Sequence, residues 1–126
     1  MKKIVSTDKA PAAIGPYSQA VQAGQFLYVS GQTPLDPKTG AIVEGSVEDQ
    51  AVRVLENVKG IVEAAGYSMQ DVVKTTVFAT DMANFAAVNG VYIKYFGENP
   101  PARSFVAVKG LPKDAQVEIE VVAWKA

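Results

Sequence analysis

Residues Ser46–Gly66 read SVEDQAVRVLENVKGIVEAAG, and their spacing predicts a long amphipathic helix. Ser46, followed three residues later by Asp49, fits a capping box, in which each residue's side chain serves the other's backbone N–H. Ala51, Val54, Leu55, Val58, Ile61, Val62 and Ala65 recur at helical spacing, opposite Glu48, Arg53, Glu56, Lys59 and Glu63. Gly66 supplies a stop. A helix with one apolar face needs a second layer to cover it, and the flanking sequence offers strands.

Downstream, DVVKTTVFATD is rich in β-branched residues and reads as a strand from Val72 to Thr80. Asp81 then caps a second helix, with Phe85, Val88, Tyr92 and Phe96 as its apolar stripe and Gly97 as its end. Two further strands, ARSFVAV and VEIEVVAW, flank a loop containing Gly110 and Pro112, which suggests a hairpin. Upstream, Ile4–Ser6 reads as a short strand, APAAIGPYSQ as a loop, and AVQAGQFLYVSGQ as a hairpin about Gly24–Gln25. TPLDPKTGAIVEG is a surface loop. The order β-β-β-α-β-α-β-β, without repeat or linker, predicts one α+β domain over residues 1–126 with helices on one face of a mixed sheet.

In the last strand, Val117, Ile119, Val121 and Ala123 point one way, and Glu118, Glu120, Val122 and Trp124 the other. If the helices cover the apolar side, two carboxylates and a tryptophan lie on the face that meets solvent or another subunit.

Composition excludes much chemistry. With neither histidine nor cysteine, the chain has no Ser-His-Asp triad, no thiolate nucleophile and no zinc site of the His/Cys type. Catalysis must use carboxylates, tyrosine, lysine, backbone groups or water, and no cofactor is expected. The net charge of −1 comes without a basic stripe, which argues against nucleic acid as a partner. The N-terminus lacks the apolar core of a secretory signal and no run is long enough to span a bilayer, so a cytoplasmic protein without a membrane partner is expected.

Arg103 follows Pro100–Pro101 at the mouth of a strand, where it is either a solvated edge residue or an anion grip. Hairpin pairing about Pro112 sets it opposite Val121, roughly 10 Å along the sheet from Glu118. That is too far for a direct pair. The two could hold opposite ends of a small ligand or meet across a subunit boundary. Tyr17 sits in a constrained loop, Ser30–Gly31 ends a strand where backbone N–H groups can be approached, and Asn89 interrupts the apolar stripe of the second helix. A polar amide there must find partners. Phe105 alternates onto the same face as Arg103.

Taken together, IGPYSQ, VSGQTP, ATDMANFAAVNGVYIKYF, PPARS and LPKDAQVEIEVVA resemble, in order and spacing, the Rid family of enamine/imine deaminases, from about Pro11 to Ala123. The resemblance implies a chorismate-mutase-like α+β sandwich, a homotrimer with sheets facing inward, and three clefts between subunits. It puts the carboxylate-binding arginine on Arg103 and the water-orienting glutamate on Glu118. Tyr17, Ser30, Gly31 and Asn89 match other pocket positions. Phe105 stands where many relatives carry cysteine. The implied substrates are carboxylate-bearing imines and enamines, 2-aminoacrylate and 2-aminocrotonate, released by pyridoxal-phosphate dehydratases. Rival readings are a regulatory protein that binds a keto acid or amino acid, a ribonuclease or translation inhibitor, and, by fold analogy alone, a chorismate mutase.

Overall fold

The capping box forms as its residues dictate. In the computed structural model, which describes residues 1–126, Ser46 Oγ accepts from Asp49 N at 3.2 Å and Asp49 Oδ2 accepts from Ser46 N at 3.0 Å. Helix α1 then runs Val47–Ala64, and Gly66 takes the left-handed φ of 86° that ends it. Asp81 caps a 3-10 turn, Met82–Asn84, and helix α2 follows as Phe85–Phe96. Neither helix is long and apolar enough to cross a membrane.

Six strands complete the structure: β1 (Lys3–Val5), β2 (Ala20–Ala23), β3 (Phe26–Gln32), β4 (Val72–Ala79), β5 (Ala102–Ala107) and β6 (Val117–Trp124). They form one mixed sheet in the order β1-β2-β3-β6-β4-β5. The expected hairpin between the last two strands does not form. Instead β4 lies between them, parallel to β5 and antiparallel to β6. A parallel neighbour needs a crossover, and α2 provides it between β4 and β5.

Alternation along β6 settles which face is inside. Val117, Ile119, Val121 and Ala123 are buried, and they pack with Leu27, Val29 and Val77 beneath α1 and α2. On the other face no element covers the sheet, and Phe26, Tyr28, Val106 and Trp124 remain 40–48% exposed. Buried amides hold the loops at one end. Asn57, without exposed surface, donates from Nδ2 to Thr33 O at 3.1 Å and Leu35 O at 2.9 Å, while Gln50 Oε1 accepts from Gln116 N at 2.9 Å.

The cap on α1 is a local feature and should behave as one. Ser46→Ala should cost about 1 kcal/mol, read as a lower urea midpoint with an unchanged slope.

Candidate active site

Arg103 stands on β5, in register with Thr75 of β4, which is in turn in register with Val121 of β6. Strand parity therefore directs its side chain to the helix-covered face. There the guanidinium is half-buried, 4.8 Å from the centroid of Tyr92, 5.3 Å from Phe105 and 5.6 Å from Phe85. Its Nη1 donates to Asn89 Oδ1 at 2.7 Å. The amide that interrupts the α2 stripe thus finds its partner in the arginine. No carboxylate shares the guanidinium, and stacking of this kind is worth about 0.5–2 kcal/mol per ring. The cage fixes the cation's position and leaves its charge unneutralised.

A second layer supports the cage. Thr75 Oγ1 and the Tyr92 hydroxyl are 2.7 Å apart and buried, and burial pushes the Tyr92 hydroxyl upward against the lowering effect of that bond and of Arg103. Phe105 packs edge-on against Phe85, with ring centroids 4.8 Å apart. A groove of about 330 Å³, bounded by Asn89, Ile93, Pro100 and Pro101, opens onto the guanidinium.

Glu118 belongs to a different region. It is in register with Phe78, on the open face of the sheet. Laterally it is two strands from Arg103, about 10 Å at ordinary spacing, with three residues of offset adding about as much along the strands. The two cannot share a small ligand within one chain.

The surroundings of Glu118 are built by a bulge. Between β3 and β6 the register passes from Val29↔Val121 to Gln32↔Ile119, so Ser30 and Gly31 stand together against Glu120. Bulges re-aim the backbone in this way. The glycine leaves room for the Glu118 carboxylate, since a Cβ at Gly31 would lie 2.9 Å from its carboxyl carbon and push that side chain aside. Ser30 Oγ donates to Ser18 O at 2.6 Å, tying the bulge to the Tyr17 loop. Tyr17, half exposed, lines a cavity of about 400 Å³ with Gly31, Glu118, Pro11, Thr33 and Lys113. Lys113 and Asp114 hold left-handed φ values of 56° and 58°, a strained arrangement for residues with side chains.

Thus Arg103, Asn89 and Phe105 form one group, and Tyr17, Ser30, Gly31 and Glu118 another. Burial raises the Glu118 carboxyl's hold on its proton, and the neighbouring charge of Glu120 adds to the effect. Such a carboxyl suits water activation and proton transfer.

A family model described as Endoribonuclease L-PSP matches residues 7–125. The chain belongs to this family, also called Rid. It is 57% identical over 125 residues to a RutC family protein of Pyrococcus horikoshii, covering 99% of both chains. It is 54% identical to a 2-iminobutanoate/2-iminopropanoate deaminase of Salmonella typhimurium, covering 98% of both. The structure of E. coli TdcF with bound serine superposes with a TM-score of 0.93 at 50% identity, covering 98% of this chain and 99% of that one.

In this Rid family chain, sequence reasoning passed over Thr75, Tyr92 and Phe85. Tyr92 and Phe85 carry a signal, since they stand three residues after and four residues before Asn89 on one face of the helix, yet the pattern reads as core. Phe85 is in fact 39% exposed, with its ring 5.6 Å from the Arg103 guanidinium. Thr75 is indistinguishable from any β-branched strand residue.

A stability measurement can read the state of Glu118. With its proton affinity raised by folding, the native protein holds more protons than the unfolded chain above pH 4.5, so stability falls as pH rises through that window. Glu118→Gln should therefore melt above the parent at neutral pH. The gap should close as pH falls to 4.5, which calorimetry across the window checks.

Proposed function

We propose that this chain is a 2-iminobutanoate/2-iminopropanoate deaminase, a metal-independent hydrolase of C=N bonds that acts as a homotrimer. The observation that carries the reading is the caged, unneutralised guanidinium of Arg103 facing a groove. A planar fork held in this way fits a substrate carboxylate bidentately. The name of the Salmonella relative supports the reaction class.

An imine is already electrophilic at C2, so the protein has little bond-making to assist. Arg103 and Asn89 orient the carboxylate, and Phe105 and Phe85 bound the space around it. Glu118 takes a proton from a water as the oxygen adds to C2, forming a carbinolamine. Returning that proton to nitrogen lets ammonia leave as the C2–N bond breaks, while the carbinolamine hydroxyl gives its own proton to Glu118 and becomes the carbonyl of the 2-keto acid. Backbone groups at Ser30–Gly31 orient the nitrogen end, and Tyr17 covers the cavity. Orientation and one acid–base group supply the rate.

Because Arg103 and Glu118 lie on opposite faces, each complete site takes Arg103 from one copy and Glu118 from another. The open sheet face with Phe26, Tyr28, Val106 and Trp124 is the apolar surface that such an assembly buries. Threefold symmetry then repeats the shared site three times.

A second reading is retention of an amino or keto acid without turnover, favoured by the serine bound to E. coli TdcF. Keto-acid release from a serine or threonine dehydratase coupled to this protein separates the two. Ribonuclease activity finds no support in the Glu118 cavity, where Lys113 is the only basic side chain.

Arg103→Ala should lower kcat/KM on the order of 100-fold, the worth of two charge-assisted hydrogen bonds at about 1.5 kcal/mol each. Arg103→Lys should recover little, since an ammonium lacks the fork. Near-parental turnover in Arg103→Ala would remove the proposed site.

Subunit mixing tests the sharing. Arg103→Ala and Glu118→Gln should each be far less active than the parent when alone, yet refolding them together should restore about one quarter of parental activity, the fraction of clefts with both residues intact. A mixture as inactive as its components, in trimers verified by sedimentation, would place both residues in one chain's site.

A further inference from the structure

Few polar side chains are buried here: Gln19, Gln32, Gln50, Asn57 and Thr75. Burying an amide is costly unless its polar atoms are paired. Gln19, 3% exposed, pairs all of them with one stretch of chain. Its Oε1 accepts from Thr7 N at 2.7 Å. Its Nε2 donates to Thr7 O at 3.0 Å, Ala10 O at 3.3 Å and Pro11 O at 2.8 Å.

The position of that stretch matters. No helix or strand forms between β1 and β2, so backbone pairing does not fix the path of the chain there. The segment held by Gln19 continues through Pro11, Ala12 and Ile14, which line the Glu118 cavity. Gln19 also acts on a second wall, since its backbone carbonyl accepts from Ser30 N at 2.9 Å, beside the bulge where Gly31 meets Glu118. Tyr17 lies two residues before it. Asn57 holds a single wall, through Thr33 and Leu35. Gln19 joins two walls and flanks the tyrosine.

We propose that Gln19 is a positioning residue for the Glu118 half of the site, its amide setting where the Pro11–Tyr17 segment stands over the carboxylate and hence where the water is held. The proposal rests on the reading of Glu118 as the residue that orients water. It leaves carboxylate binding by Arg103, on the other face, untouched.

Gln19→Met keeps the side chain's length and removes all four hydrogen bonds, and Gln22→Met, three residues on within β2, is the control. In the imine hydrolysis assay, kcat of Gln19→Met should fall about 10- to 100-fold, the scale of a roughly 1 Å misplacement. KM should stay within about twofold, because the carboxylate grip is intact. Gln22→Met should match the parent. A lower melting temperature with parental kcat per folded trimer would overturn the proposal and make Gln19 a structural amide only. If Gln19→Met does not fold, Gln19→Asn, which keeps the amide one methylene short, is read in the same way. Should the parent itself fail to hydrolyse imines, the titration of the Glu118 carboxyl by carbon-13 NMR decides. Tyr17 and Lys113 share its cavity and Glu120 lies beside it on β6. Loosened walls admit water, so its pKa in Gln19→Met should move down toward the ordinary carboxylate value. An unchanged titration would overturn the proposal.

Discussion

A strand cannot present neighbouring residues to the same side. Ile119 and Val117 are committed to the core beneath the helices, so Glu118 between them must face the open side of the sheet. Arg103 is bound by the same parity. Its register partner Thr75 is buried under α2, and the arginine therefore lies on the helix side. Core packing makes both assignments hard to reverse, because a one-residue slip in either strand would turn every buried side chain outward. The division of the candidate site between two faces follows from how the core is filled, and the proposed sharing of each site between two copies rests on that division.

Elements specified by local chemistry were legible in the sequence. The helix at Val47–Ala64 carries its cap, its stripe and its stop within one continuous stretch, and β6 declares its two faces by strict alternation. Pairing partners were not legible. Gly110 and Pro112 punctuate the loop between ARSFVAV and VEIEVVAW, which suggests adjacency. The intervening place of β4 depends on contacts far apart in sequence and on the crossover by α2. The residues of the candidate site were named through a family resemblance, while their separation needed the sheet order. Ser30 shows a further limit. As a strand-end residue it suggests a backbone N–H open to a ligand, whereas that N–H donates to Gln19 O at 2.9 Å, a bond with no local signature.

The two groups of residues are stabilised by different physics. Around Arg103 the support is aromatic: three rings and a buried Thr75–Tyr92 bond restrict a flexible side chain that would otherwise lose much entropy on binding. Around Glu118 the support is polar: buried amides fix irregular chain, and the left-handed Lys113 and Asp114 form the turn that leads into β6. Strain at such positions costs about 1–3 kcal/mol each. It is sustained by the bond from Lys113 Nζ to Gly40 O at 2.9 Å and by the burial of Ala115 and Val117 just beyond. A rigid cation and a carboxyl kept poorly solvated fit the proposed reaction, which holds one end of a small molecule and hydrates the other.

Strand β5 closes one side of the sheet, and its outer edge has no partner within the chain. An open row of N–H and C=O groups is a template on which a foreign strand can grow, the first step toward fibrous aggregates. Pro100 and Pro101 stand immediately before this strand and offer no N–H to such an intruder. The strand is also short, so any added ladder would be brief before meeting the proline ring on one side and the Gly110–Pro112 bend on the other. The same prolines that bound the Arg103 groove therefore stand as gatekeepers against strand addition at this edge.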